Sequence, residues 1–280
     1  MRHWNWVLIV AAGCTGPSFR EIGSMPASSS RLVGDVVHLG MDTMVCAFDA
    51  EDGTNLADYS PEANSDSGEI PWIALHDVRG ADVLATVEGE LGRIDDYDAF
   101  TRLFAGTPVT SARWTGDGFV ALTAPSALHG CELVNDRGER GRAPACDGLE
   151  VIDGLAVIEA HDQLWPIDGV TAGAPRQVDA HWEGGDGVRL EAIDGVVSMF
   201  ERGVEVGSVA IPFGATDVFA LPGGYGARDA VGQVWWIDSA FSTTTATDLT
   251  LDGGEVTSGP DGRYVMHQTR DTATWLRVGR

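Results

Sequence analysis

Apolar and polar residues alternate over short runs along most of this chain, and Gly, Asp or Pro closes nearly every run. Met44-Val45-Cys46-Ala47-Phe48, Gly118-Phe119-Val120-Ala121-Leu122, Val234-Trp235-Trp236-Ile237-Asp238 and Tyr264-Val265-Met266-His267 are examples. A period of two over five or so residues, bounded by turn formers, predicts half-buried strands. Asp-Gly stands at Asp52, Asp117, Asp147, Asp153, Asp168, Asp186, Asp194, Asp252 and Asp261. This dipeptide favours two-residue hairpins, whose central positions both take positive φ. No stretch of the body carries a long apolar pattern at helical spacing, so the fold class expected is all-β, built from antiparallel hairpins.

The hairpins recur. Thr115-Gly116-Asp117-Gly118-Phe119-Val120-Ala121-Leu122 matches Gly259-Pro260-Asp261-Gly262-Arg263-Tyr264-Val265-Met266 at an offset of 144 residues, four steps of 36. Leu164-Trp165-Pro166-Ile167-Asp168 matches Val234-Trp235-Trp236-Ile237-Asp238 at an offset of 70, two steps of 35. A period of about 35 to 40 residues is what a four-stranded propeller blade requires. Blade starts are expected near Ile70, Thr110, Asp147, His181, Ala215 and Gly253. Gly34 to Ser60 would form a further, irregular blade without its innermost strand. The expected architecture is a β-propeller of about seven four-stranded blades. Six regular blades with one insertion, the last completed by a strand near Leu32 to Leu39, is the alternative, and a pair of β-sandwiches is the structural rival. The run Gly259-Pro260-Asp261-Gly262-Arg263-Tyr264-Val265, followed by Trp275, resembles the blade repeat of TolB-like propellers. That resemblance implies a Pro-Asp-Gly turn between the first two strands of a blade.

The first residues differ from the body. Arg2 and His3 precede the run Trp4-Asn5-Trp6-Val7-Leu8-Ile9-Val10-Ala11-Ala12-Gly13, and then comes Cys14. A run of about ten apolar residues is too short to span a bilayer, which needs about 20, and suits an export signal. Val10-Ala11-Ala12-Gly13-Cys14 resembles the lipobox of bacterial lipoproteins, although Ala11 stands where leucine is commonest. The resemblance implies a signal peptide over residues 1–13, lipidation of Cys14, a flexible tether over residues 14–30 and a propeller over residues 31–280. It also implies a place in the cell envelope, outside the cytoplasm, with Thr15 after the cysteine favouring the outer membrane. In such an oxidising compartment Cys131 and Cys146 are expected to pair, closing a loop worth about 3 kcal/mol. Cys46, apolar on both sides, is expected to be a buried thiol.

Composition narrows the partners. The formal charge is -24, from 18 basic and 42 acidic residues, and every basic residue is arginine. Such a field repels phosphate backbones and anionic lipids, so nucleic acid is excluded as a partner and the membrane is met through the lipid anchor alone. The absence of lysine removes Schiff-base chemistry and the phosphate-binding loop lysine. Tryptophans at 72, 114, 165, 182, 235, 236 and 275 fall at about one per blade, as packing between blades needs.

No nucleophile elbow, zinc helix, paired Cys-x-x-Cys or calcium loop occurs, and no cofactor or metal site is expected. The turns between the second and third strands of the blades gather on one face. On this register they carry Asp42, His129, His161 with Asp162, Arg228 with Asp229, and Arg270 with Asp271. With Trp182, a tryptophan read first as blade packing but the one best placed for a surface, all of these except Asp42 form the candidate binding residues. Asp95-Asp96-Tyr97-Asp98 reads as a solvated turn, and His267 as a hydrogen-bonded strand histidine. The function expected is a non-catalytic, monomeric binding module for an envelope or extracellular protein or a polysaccharide. The alternative is a hydrolase or lyase acting on glycans or lactones with channel carboxylates and calcium.

Overall fold

The computed structural model describes residues 17–279, apart from 63–69, 105, 117, 127–129, 153, 161–162 and 185–186. Seven antiparallel sheets follow one another and form a seven-bladed β-propeller of four-stranded blades, the fourth strand of blade 4 being split into two short pieces, Thr171–Ala172 and Arg176–Gln177, that both pair with its third strand. The innermost strands, in chain order of the blades, are Ser29–Val33, Ile73–Arg79, Val109–Thr115, Gly148–Ile152, Ala180–Glu183, Ala215–Leu221 and Glu255–Ser258. Six of the seven blade starts lie within three residues of those the repeats predicted. Blade 1 is not irregular: Ser29–Val33 is the innermost strand that Gly34 to Ser60 was expected to lack.

The ring closes at its ends. Ser18–Pro26 pairs antiparallel with Thr272–Gly279 and becomes the outermost strand of blade 7, with Ser18 opposite Gly279 and Pro26 opposite Thr272. This corrects the expected tether. Residues 18–26 are a structural strand, residues 29 and 30 open blade 1, and the propeller begins at Ser18 instead of residue 31. The strand proposed to complete the last blade, near Leu32 to Leu39, belongs to blade 1 instead. Composition hid the closing strand because glycine is required there: a Cβ on Gly23 would lie 2.3 Å from the ring of Trp275, which is fully buried.

Between the blades lie apolar layers. Val37, Leu39, Phe48, Tyr264, Met266 and Trp275 fill the one between blades 7 and 1. Trp114, Trp165, Trp182, Trp235 and Trp236 pack half-buried against other layers, as expected of blade packing, but Trp72 is 55% exposed. The Pro260-Asp261-Gly262 turn does join the first two strands of its blade. Among the described Asp-Gly pairs, only Asp194-Gly195 has both residues at positive φ. Asp52 and Asp261 instead accept the backbone N–H two residues on, the Asx-turn use of the same side chain. Cys131 and Cys146 form a disulfide and Cys46 is a buried free thiol.

A repeated device ties neighbouring blades. The innermost strands of blades 2, 3 and 6 each carry a register shift, at Leu75/Asp77, Val109/Ser111 and Ala215/Asp217. A bulge re-aims the side chain after it. Asp77 accepts from the Trp114 N–H at 2.8 Å, Ser111 from Leu149 N–H at 3.1 Å and Asp217 from Val256 N–H at 2.9 Å. Each bond crosses to the innermost strand of the next blade.

Closure through Gly23 yields a testable contrast. Gly23→Ala must displace Trp275 or the closing strand and is expected to cost about 2 kcal/mol in urea unfolding. Gly148→Ala, where the added Cβ meets nothing within 4 Å, is expected to change stability by less than about 0.5 kcal/mol. Equal effects of the two would show that the closing strand does not limit stability.

Candidate functional site

Antiparallel order assigns every connection to one of two faces. Turns between second and third strands share a face with the loops that lead from one blade to the next. Turns between first and second strands, and between third and fourth, lie on the other. At the first of these faces the channel widens into a cavity of about 540 Å³. Its wall comes from the inner strands of blades 4 to 7 and includes Glu150, Glu159, His181, Asp217, Arg228 and Glu255.

Two buried arginines organise this wall. Arg113 donates through Nε to Glu150 at 3.2 Å, through Nη2 to the same carboxylate, and through Nη1 to the His76 carbonyl at 2.7 Å. Arg31 approaches Glu150 to 3.8 Å from blade 1. Burial alone would raise the Glu150 carboxyl, but the guanidiniums of Arg113 and Arg31 hold it down at about 2. On the other side Arg228 donates to Asp217 at 2.7 Å, and to the carbonyls of Gly253 and of Gly254, the latter at 2.7 Å. The planar fork of arginine suits such multi-point clamps, which a lysine could not reproduce.

Glu159 and Glu255 differ. Among the described residues neither has an ion pair or hydrogen bond through its carboxylate. Burial pushes Glu159 up to about 7, and Glu150, Glu255 and Asp217 add to the rise while Arg113 opposes it. Glu255 is raised by burial and then by Glu150. Burial lowers the His181 imidazole and favours its neutral form. Among the described residues no three His, Cys, Asp or Glu side chains are grouped as a metal ion would require.

The expected binding residues meet different fates. Trp182 lies in the channel wall, half-buried and edge-on to Tyr225. Arg228 is the interblade clamp just described. Asp229, also buried, accepts from the N–H groups of Val231 and Gln233 and from the Trp235 indole at 2.8 Å, so it shapes its turn. Arg270 and Asp271 project from the channel-mouth face, almost wholly exposed. His129, His161 and Asp162 lie outside the described residues, as does Cys14. His267 donates to the Gly253 carbonyl at 2.7 Å, consistent with its expected strand role. Glu150, His181 and Glu255 escaped sequence reasoning because they stand inside strands and not in turns. The blade register held a signal: each is a polar residue near the start of an innermost strand.

These features define a seven-bladed β-propeller with an acidic, arginine-braced channel mouth. No protein-family model matches the sequence, and no curated protein is similar to it in sequence. Solved propellers share its shape. The WD40 domain of Neurospora crassa Pan2 has 11% identity and a TM-score of 0.61, over 94% of this chain and 96% of that one. A chain in the mitotic checkpoint complex has 13% identity and a TM-score of 0.61, over 100% and 99%. BamB from Moraxella catarrhalis has 12% identity and a TM-score of 0.55, over 93% and 98%. Likeness at these identities is one of fold.

Glu159 gives the wall a pH signature. Its folded pKa of about 7 exceeds its ordinary 4.5, so the folded state holds the extra proton. The resulting cost is absent below 4.5, grows as pH rises towards 7 and is complete above it. Glu159→Gln is therefore expected to match the wild type near pH 4 and to be more stable at pH 8 by about 1 kcal/mol, water in the channel screening the rest. Thermal unfolding across this range checks it, and a variant less stable at pH 8 would contradict it.

Proposed function

We propose that this chain is a lipid-anchored, extracytoplasmic binding module that takes an envelope or extracellular protein, or a surface polymer, at the channel-mouth face. The observation that carries this is where the chain enters the ring. Ser18 pairs with Gly279, at the end of the third strand of blade 7, and so lies on the face opposite the channel mouth. Four residues of chain from Cys14 reach no farther than ~14 Å. An acyl group there holds the ring close to the bilayer and leaves the mouth facing outward. The disulfide suits an oxidising compartment.

The outward face also presents apolar surface. Ile193 and Val196 flank the Asp194-Gly195 turn, Phe213 stands in the loop from blade 5 to blade 6, and Val231 caps a turn of blade 6, all exposed. Phe213 is held at φ 65, a conformation that bulky residues rarely adopt. Exposed apolar groups rimmed by polar turns mark surfaces that partners cover.

A second reading, a hydrolase or lyase acting on glycans or lactones, draws on the divergence of Glu150 and Glu159. Neighbouring carboxyls pushed to about 2 and about 7 are the pattern of an acid and base pair. Arg113 and Arg31 already occupy Glu150, however, and this favours a structural carboxylate over a reacting one.

Labelling with a palmitate analogue in a bacterial host tests the anchor. The wild type is expected to take up label and Cys14→Ser to lose it. A photocrosslinking residue at position 270, on the outward face, is expected to give partner adducts. The same residue at position 35, in the first turn of blade 1 on the opposite face, is expected to give none. Label that survives Cys14→Ser, or adducts from position 35 alone, would sink the proposal.

A further inference from the structure

The channel mouth carries more than a general polarity. We infer that it is a binding site for an organic cation bearing several N–H donors, a guanidinium or primary ammonium group, held between Glu159 and Glu255. This inference deepens the reading of the chain as a binding module and rests on it.

Charge and hydrogen bonding both point to that ligand. Arg113 and Arg31 serve Glu150, and Arg228 serves Asp217. Glu159 and Glu255 are left facing the cavity, and among the described residues no cation pairs with either. A second cavity of about 140 Å³ adjoins the first, sharing Glu255 and Thr257 in its wall and bounded further by Ser30, Gln268 and Arg31, whose guanidinium is drawn to Glu150.

Here lies the independent sign of a ligand. Ser30 is 3% exposed, and its hydroxyl has no partner. The Thr257 hydroxyl and Gln268 Oε1 are buried and unpartnered as well. The Gln268 amide nitrogen already donates to the carbonyls of Ala27, at 3.0 Å, and Thr269, so only its acceptor is open. A buried polar atom without a partner is costly and calls for an explanation. One carboxylate from each of two blades, two hydroxyls and an amide oxygen together match a group that donates and carries positive charge. A guanidinium offers five N–H donors and an ammonium three.

Other occupants fit less well. A hard divalent cation needs six or more converging oxygens, and no such group of acidic side chains is present among the described residues. An anion would meet two carboxylates that hold no ion pair among the described residues, Arg113 and Arg31 acting on them only from their places beside Glu150. Burial first, and then the Glu150 carboxylate, raises both Glu159 and Glu255, and a bound cation would offset that cost.

Calorimetric titration of the full-length chain with agmatine, n-butylamine and the neutral n-butylurea tests this. Agmatine is expected to bind, and n-butylurea to bind at least about tenfold more weakly. Glu255→Gln and Glu159→Gln are each expected to weaken agmatine by about tenfold, and Ser30→Ala by a few-fold, while thermal unfolding shows all three to be folded. Tighter binding of an arginine-ended peptide than of agmatine would assign the cation to a protein partner's side chain, and equal binding to a free small molecule. Both support the site. Equal affinity for agmatine and n-butylurea, unaltered binding by Glu255→Gln, or displacement of agmatine by micromolar calcium would overturn it. If titration fails while Cys14 labelling and outward-face crosslinking persist, the cation site alone falls. If those two fail while titration succeeds, the anchored-module reading alone falls.

Discussion

Each innermost strand of a propeller has an edge with no fifth strand to pair it, and those edges meet around the channel. Unpaired backbone N–H groups in such a place must find side chains or water. Blades 2, 3 and 6 meet this constraint in one way. A bulge near the start of the innermost strand turns Asp77, Ser111 or Asp217 sideways, and its oxygen takes an N–H of the next blade. The partners stand 37, 38 and 39 residues apart. The sequence period is thus the length of chain that returns one inner edge to the next.

Charge is distributed to suit the same edges. The ring is strongly acidic, yet its interior uses arginine to close circuits: Arg113 links blades 2, 3 and 4, and Arg228 links blades 6 and 7. Breaking one partner of such a buried pair leaves an uncompensated charge, which costs more than the intact pair contributes. Closure works at the outer rim instead. There Ser18–Pro26 supplies the fourth strand of blade 7, joins the two ends of the chain in one sheet and fixes the face on which Ser18 lies.

Much of the ring was legible because strand alternation and turn residues are local signals. Blade starts and the strand position of His267 follow from them, whereas the Pro260-Asp261-Gly262 turn was implied by the TolB-like resemblance and the disulfide by the expected oxidising compartment. The closing strand was not legible, since the apolar residues that pack it, Phe19, Ile22 and Met25, fall every third residue across a register shift at Glu21/Gly23 instead of alternating, with Gly23 making room for Trp275. Turn chemistry misled in detail: Asp52 and Asp261 cap their own backbone and only Asp194-Gly195 has both residues at positive φ among the described pairs, so the dipeptide located turns without giving their type. Candidate ligands sought in turns proved partly structural, as with Arg228 and Asp229. The channel carboxylates went unseen because a lone Glu within a strand is indistinguishable from a solvent-facing position until the register places it on the innermost edge.

The division of labour among blades explains where the cavity lies. Innermost strands with a bulge spend their inward polar side chains on the neighbouring blade. Those of blades 1, 4, 5 and 7 pair in register with their second strands, without a shift. From these four come Ser30, Glu150, His181 and Glu255, the groups that face the two adjoining cavities. Of the two acids among them, only Glu150 is ion-paired among the described residues. Bulged strands thus commit an inward polar side chain to the next blade, whereas Ser30 and Glu255 on unbulged strands remain free to meet a ligand, even though Ser258 on the same strand as Glu255 takes the Ala220 N–H of blade 6, and the ring's asymmetry in bulges becomes an asymmetry in what its mouth can recognise.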